Sequence, residues 1–213
     1  MAKIPSREEM LHALEERHGI ETQKRFSKAS VAICGLGGLG SNIAIMLARA
    51  GIGRLHLIDF DKVDLSNLNR QQYAVSQLGM YKTQALTETL KAIAPYCEIV
   101  ARTERITENN IKDLFCDETI ICEAFDKPEA KAILVNGVAE HFPDKYLVSG
   151  SGMSGFESAN SIITRKLTKH FYLCGDGVSD IADGIGLVST RVMVCAAHQA
   201  HTVLRILMEE YEP

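Results

Sequence analysis

Three glycines, one acid at a strand end and a cluster of phosphate-compatible side chains carry the chemistry of this chain. Gly35, Gly37 and Gly40 form a G-x-G-x-x-G turn, with Gly38 inside it, directly after the apolar run Val31 to Cys34 and directly before the helical pattern Ile43, Met46, Leu47. Glycines in that context allow a tight strand-to-helix turn and let backbone N–H groups approach an anion at the helix N-terminus. Nineteen residues after Gly40 the run Leu55 to Ile58 ends at Asp59, where a doubly wound sheet places the carboxylate that grips ribose hydroxyls. To that point a dinucleotide and a nucleoside triphosphate are served equally.

The next segment favours the triphosphate. Asp61, Asp64, Ser66, Asn67, Asn69, Arg70 and Gln71 follow at once, and Lys82 comes twelve residues after Arg70. Arg70 offers a planar fork of donors to phosphate oxygens, Asn67 a neutral amide and Lys82 a point charge. The alternative for this string is a solvated loop with surface ion pairs. Further on, Asp126 follows the apolar strand Thr119 to Cys122 and precedes Pro128, a residue suited to the first helical position, so the acid sits at the carboxyl end of a strand.

With GLGGLGS at 35–41, LIDFDKVDLSNLNRQ at 57–71, Lys82 and Asp126 in this order, the chain resembles the ThiF/MoeB/HesA adenylyltransferases, prokaryotic relatives of ubiquitin-activating enzymes, from about residue 20 to the C-terminus. The MYKT segment at 80–83, the CGDG segment at 174–177 and the small size look most like the short ThiF type, whose partner is the sulfur carrier ThiS. The resemblance implies an ATP- and Mg²⁺-dependent reaction in which a carrier's C-terminal glycine carboxylate attacks the α-phosphate and pyrophosphate leaves. It implies these roles: the glycine turn (Gly35, Gly37, Gly38, Gly40) and Asp61, Ser66 and Asn67 hold nucleotide; Asp59 holds ribose; Arg70 and Lys82 hold phosphate and act in catalysis; Asp126 binds magnesium. It also implies a homodimer. Two departures stand out. Lys127 occupies a position where relatives commonly carry Asn, and the family's N-terminal arginine has no clear counterpart, its expected place falling near Leu11 between Arg7 and Arg17.

The elements that must position these groups read as one α/β domain over 1–213: a Rossmann-like, doubly wound, mostly parallel sheet with an antiparallel extension and flanking helices. Expected are an N-terminal helical extension over 1–28 with a helix from Arg7 to Glu16, and helices from Thr83 to Ala94, Glu108 to Phe115, Pro128 to His141 and Arg191 to Glu210. Strands are expected at Glu98–Arg102, Thr119–Cys122, Tyr146–Ser149 and Ser158–Arg165, with a flexible crossover loop over 170–190.

Composition excludes several classes. The formal charge of −4 argues against general nucleic-acid binding, and 213 residues at 46% apolar content can bury a core without staples. No run reaches the eighteen apolar residues of a membrane span, so a cytoplasmic location is expected. Six scattered cysteines form no C-x-x-C pair, so no structural zinc is expected. Cys174 is a candidate covalent residue by position or else an unreactive loop thiol. His198 and His201, three apart, read as a helix packed on the core rather than a metal site. Other readings kept open are activation of a molybdopterin-type carrier, a tRNA threonylcarbamoyl-adenosine cyclising activity, an NAD-dependent dehydrogenase and a non-catalytic partner subunit.

Overall fold

A computed structural model describes residues 4–213. Ser6 and Glu9 form a reciprocal capping box that starts α1 (Arg7–His18). Gly19, at φ +90°, breaks the chain direction, and α2 (Ile20–Lys28) follows as a separate helix that buries Gln23 and Phe26. Only one helix, from Arg7 to Glu16, is expected from the sequence in this stretch. The expected extension over 1–28 is thus two helices, and its first three residues lie outside those described.

The sheet comprises β1 (Ser30–Cys34), β2 (Arg54–Ile58), β3 (Glu98–Arg102), β4 (Ile120–Glu123), β5 (Tyr146–Gly150), β6 (Ile163–Lys166) and β7 (Phe171–Gly175). Its order is β3-β2-β1-β4-β5-β7-β6, parallel throughout except for the antiparallel β6–β7 edge pair. The chain runs outward from β1 through β2 to β3 and then returns to lay β4 on the other side of β1. Such a reversal opens a crevice at the carboxyl ends of β1 and β4.

Helices α3 (Gly38–Arg49), α4 (Lys82–Ile93), α5 (Pro128–His141) and α6 (Ser189–Leu207) cover the sheet. Strand alternation divides the core. Val31, Ile33, Leu55 and Leu57 pack with Ile43, Leu47, Leu86 and Val203 on one face. Ala32, Cys34, Ile58 and Ile121 pack with Phe115, Leu134 and Val138 on the other. Each fully buried Leu or Ile contributes roughly 1.5–3 kcal/mol relative to exposure, so these two faces fix the sheet's register.

Three further expectations differ from the structure. The segment Glu108 to Phe115 forms only a 3₁₀ turn at Ile111–Asp113, because Asn110 spends its side chain on Thr107 N (2.8 Å) and Arg105 O (2.9 Å) and so holds the backbone in turns. Ser158 to Arg165 begins with a 3₁₀ turn and becomes strand only at Ile163. Of the stretch 170–190 expected as a crossover loop, Phe171–Gly175 is an interior strand and Ser189 already starts α6. Among the described residues no helix is long and apolar enough to cross a membrane.

Candidate active site

The strand-to-helix turn after β1 is built by close approach. Gly35 has φ +88°, and a Cβ on Gly40 would lie 1.8 Å from Gly35 O, so neither position accepts a side chain. α3 starts at Gly38, and Gly37, Gly38 and Leu39 line a cleft of about 660 Å³ at the carboxyl ends of β1, β2 and β4.

Asp59, one residue past β2, is 7% exposed. Its Oδ2 accepts from Leu36 N at 2.6 Å and its Oδ1 from Asp61 N at 2.7 Å, which aims the carboxylate across the glycine turn. Burial pushes its pKa above the usual value, opposed by the Lys82 charge and by those two N–H groups. Lys82 opens α4, 6% exposed: its backbone N donates to Asp61 O (2.9 Å) and its Nζ lies 3.3 Å from Asp61 Oδ2. One residue therefore fastens the segment after β2 to the start of α4 and places its ammonium at the cleft wall.

Arg70 is held from both sides. Its Nη1 donates to Ser66 O (3.1 Å) and Asn69 Oδ1 (2.8 Å), while its Nε is buried with no partner among the described residues. Gln71, adjacent to Gly37, likewise has a buried Oε1 without a partner. Unpaired buried polar atoms cost on the order of 1–3 kcal/mol, so these two side chains carry a local cost beside the glycine turn. Asn67 closes its own turn by accepting from Asp64 N at 3.0 Å, and the Ser66 hydroxyl, followed by the Ser66 N–H, holds the Asp64 carboxyl below its usual range.

Gly35, Gly37, Gly38, Asp59, Asp61, Asn67, Arg70, Lys82 and Asp126 all line the one cleft. Gly40 and Ser66 do not: Gly40 serves the packing of turn on helix, and Ser66 orients Arg70 through its carbonyl. Asp126 is exposed on the opposite wall, with no hydrogen bond or ion pair on its carboxylate among the described residues.

Sequence reasoning missed the groups that hold these together. Asn42, on the otherwise apolar α3, donates to Gly38 O (2.6 Å) and Arg70 O (3.1 Å) and accepts from Gln72 Nε2 (2.7 Å). Ser41 Oγ accepts from Gln72 N at 3.1 Å, and Tyr73 OH donates to Leu36 O at 2.7 Å. Polar residues within an apolar helical run were the available signal. Also missed was the apolar end of the cleft, where Ile58, Ile106 and Phe125 form the wall and the Arg105 guanidinium stacks 3.9 Å over the Phe60 ring.

The CGDG segment is an anchor. Cys174 lies fully buried in β7, and burial raises its pKa despite hydrogen bonding with Thr164 and Thr202, so it is neither a loop thiol nor placed to react. Asp176 pairs with buried Arg191 of α6 and accepts from Val178 N (2.8 Å) and Ser179 N (2.9 Å). His198 Nδ1 lies 3.0 Å from Thr164 Oγ1, and burial followed by the neighbouring His201 lowers its pKa. Among the described residues no three His, Cys, Asp or Glu side chains cluster as a metal cage.

Fold and site define a Rossmann-like, doubly wound type of domain, with its glycine turn, strand-end acid and basic side chains around one crevice. The ThiF family matches residues 9–213, and the chain belongs to it. It is 31% identical to ubiquitin-like modifier-activating enzyme 5 of Aedes aegypti over 88% of this chain and 44% of that protein. It is 30% identical to the adenylyltransferase and sulfurtransferase UBA4 of Candida glabrata over 94% of this chain and 48% of that one. The chain thus spans less than half the length of these relatives. Its fold superposes on the crystal structure of Escherichia coli tRNA N6-threonylcarbamoyladenosine dehydratase, TcdA, in complex with ATP, at TM-score 0.86 and 21% identity, covering 98% of each chain.

Proposed function

We propose that this chain is an adenylyltransferase that activates the C-terminal glycine of a ubiquitin-like carrier with ATP. One observation carries the reading: Arg70 and Lys82 share a cleft with the glycine turn and the buried acid Asp59. The adenine lies on the apolar wall by Ile106 and Phe125, the ribose hydroxyls bond Asp59, and the phosphates pass the α3 N-terminus toward Arg70 and Lys82. The carrier's carboxylate oxygen forms a bond to the α-phosphorus while the bond to the bridging oxygen of the β-phosphate breaks, giving acyl-adenylate and pyrophosphate. Negative charge grows on the equatorial oxygens, and Lys82 and Arg70, already fixed by Asp61 and by Ser66 and Asn69, meet it without reorganising. No protein nucleophile is needed, which accords with the burial of Cys174.

The uncommitted carboxylate of Asp126 suits magnesium, which is bound through one or two carboxylates together with substrate phosphates rather than in an all-protein cage. When bound, the ion supplies further charge neutralisation on the phosphates. The name of the Aedes aegypti relative, a ubiquitin-like modifier-activating enzyme, supports a ubiquitin-like carrier, and that of the Candida glabrata relative supports adenylyl transfer. Within that class, the CGDG and MYKT segments favour a ThiS-like sulfur carrier and a role in thiamine biosynthesis; the homodimer rests on family resemblance, and the whole of 1–213 is taken as one domain. The likeness to TcdA over nearly all of both chains favours, as a second reading, activation of a group on tRNA, with the net charge of −4 counting against it. Arg70→Ala and Lys82→Ala test the assignment: each is expected to lower carrier-dependent pyrophosphate exchange by about 10²-fold or more, and unchanged exchange would remove that residue from the mechanism.

A further inference from the structure

Below the cleft, outside its lining, lies an ion pair to which the proposed reaction gives no part. Glu123 ends β4 and is fully buried; Lys131 stands in the first turn of α5 and is half-buried. The pair is saturated. Glu123 Oε1 accepts from Phe125 N at 2.8 Å, and its Oε2 accepts from Ser149 Oγ and from Lys131 Nζ. The ammonium also reaches Gly150 O at 2.7 Å and Ser149 Oγ at 3.4 Å, so its three protons are all directed. From α6, Gln199 Nε2 donates to Glu123 O at 3.0 Å.

A buried ion pair is a poor device for stability alone, because apolar residues of the same volume often serve as well or better. What an apolar pair could not do is fix direction. The bond to Phe125 N sets the backbone immediately before Asp126, and Lys131 sets the helix that begins two residues after it. Asp126 is therefore carried on a short span clamped at both ends by one ion pair. The same span already touches the nucleotide turn: Ala124 N donates to Cys34 O at 2.9 Å, and a Cβ on Gly35 would stand 2.8 Å from Ala124 O. Sliding of this span would separate Asp126 from any phosphate held by the glycine turn.

We propose that the Glu123–Lys131 pair is the positioning element for Asp126, holding its carboxylate in register with nucleotide phosphates so that a divalent cation is shared between them. This rests on the reading of Asp126 as the metal-binding acid.

Mn²⁺ binding to the protein–ATP complex, followed by the electron paramagnetic resonance of free Mn²⁺, tests it without requiring turnover. Glu123→Gln and Lys131→Met are each expected to weaken Mn²⁺ about tenfold while ATP affinity in chelator stays within about twofold. The double variant Glu123→Gln/Lys131→Met, which leaves no unpaired buried charge, is expected to melt near the native temperature yet keep the weakened Mn²⁺ affinity. Adding Asp126→Asn to it should weaken Mn²⁺ no further. Native Mn²⁺ affinity in the double variant would overturn the proposal and leave the pair a purely structural role. Native affinity in Asp126→Asn alone would instead overturn the assignment of the metal-binding acid on which the proposal stands.

Discussion

The Asn42 side chain bridges the glycine turn and Arg70: one amide group donates to Gly38 O at 2.6 Å and to Arg70 O at 3.1 Å, across 28 residues of sequence. The glycine turn and the Arg70 backbone are thus tied by one side chain.

Asn42→Leu is expected to keep the fold, since the position is buried on α3, but to unfasten Arg70 from the turn. Carrier-dependent pyrophosphate exchange should fall at least about tenfold, the scale on which loss of orientation acts. Melting temperature and exchange rate measured together check this. A parallel fall in both would make Asn42 structural only.

Lys82 and Asp59 are coupled through charge. Burial raises the Asp59 pKa and Lys82 opposes the rise, so removing the ammonium leaves the acid protonated to higher pH. Ribose hydroxyls bond best to the ionised carboxylate. The acid limb of AMP binding is therefore expected to move to higher pH in Lys82→Met, as measured by calorimetry over a pH series. An unmoved limb would show that Asp59 does not titrate under Lys82's control.

Much of this arrangement was legible in the sequence because it is local. GLGGLGS with its flanking apolar run and helix pattern, and the acid Asp59 at a strand end, dictate a turn and a crevice whatever surrounds them. The strand Glu98–Arg102 and the helix Pro128–His141 were equally legible, the latter from a proline at the first helical position. Non-local features were not. α2 shows only Gln23 and Phe26 to the core, too few to mark a helix, and Gly19 at φ +90° hides its start. The glycines of CGDGVSDIADGIG suggested a loop, yet Asp176 meets Arg191 of α6 and Cys174 lies inside β7, pairings that sequence spacing does not reveal. Asn110 turned an apolar-patterned stretch away from helix by bonding its own backbone neighbours.

Cys174 should be unreactive in the native protein. It is fully buried with a raised pKa, whereas Cys116 is exposed. Under native conditions iodoacetamide is expected to label Cys116 and spare Cys174, as read by peptide mass spectrometry. Cys174→Ala should retain exchange activity. Loss of exchange in a folded Cys174→Ala variant would restore a covalent role.

Asp176 is expected to govern acid stability. Burial alone would raise its pKa, but the Val178 and Ser179 N–H groups, the Ser179 hydroxyl and Arg191 outweigh it and hold the carboxyl at about 2. Its folded value lies below the unfolded one, so the stability it contributes is present above about pH 4 and lost as pH falls toward 2. Urea titrations across that window should show a shallower acid loss in Asp176→Asn than in the native chain. Arg191→Met, which strands a buried carboxylate, should be destabilised at neutral pH by roughly 3–5 kcal/mol.

The most direct measurement is exchange of labelled pyrophosphate into ATP by the purified protein with Mg²⁺, against ThiS-like and molybdopterin-type carriers ending in Gly-Gly and against tRNA. Exchange that depends on a carrier and falls by about 10²-fold in Lys82→Ala is the expected result. Tight ATP binding without exchange from any carrier would contradict carrier activation by this cleft.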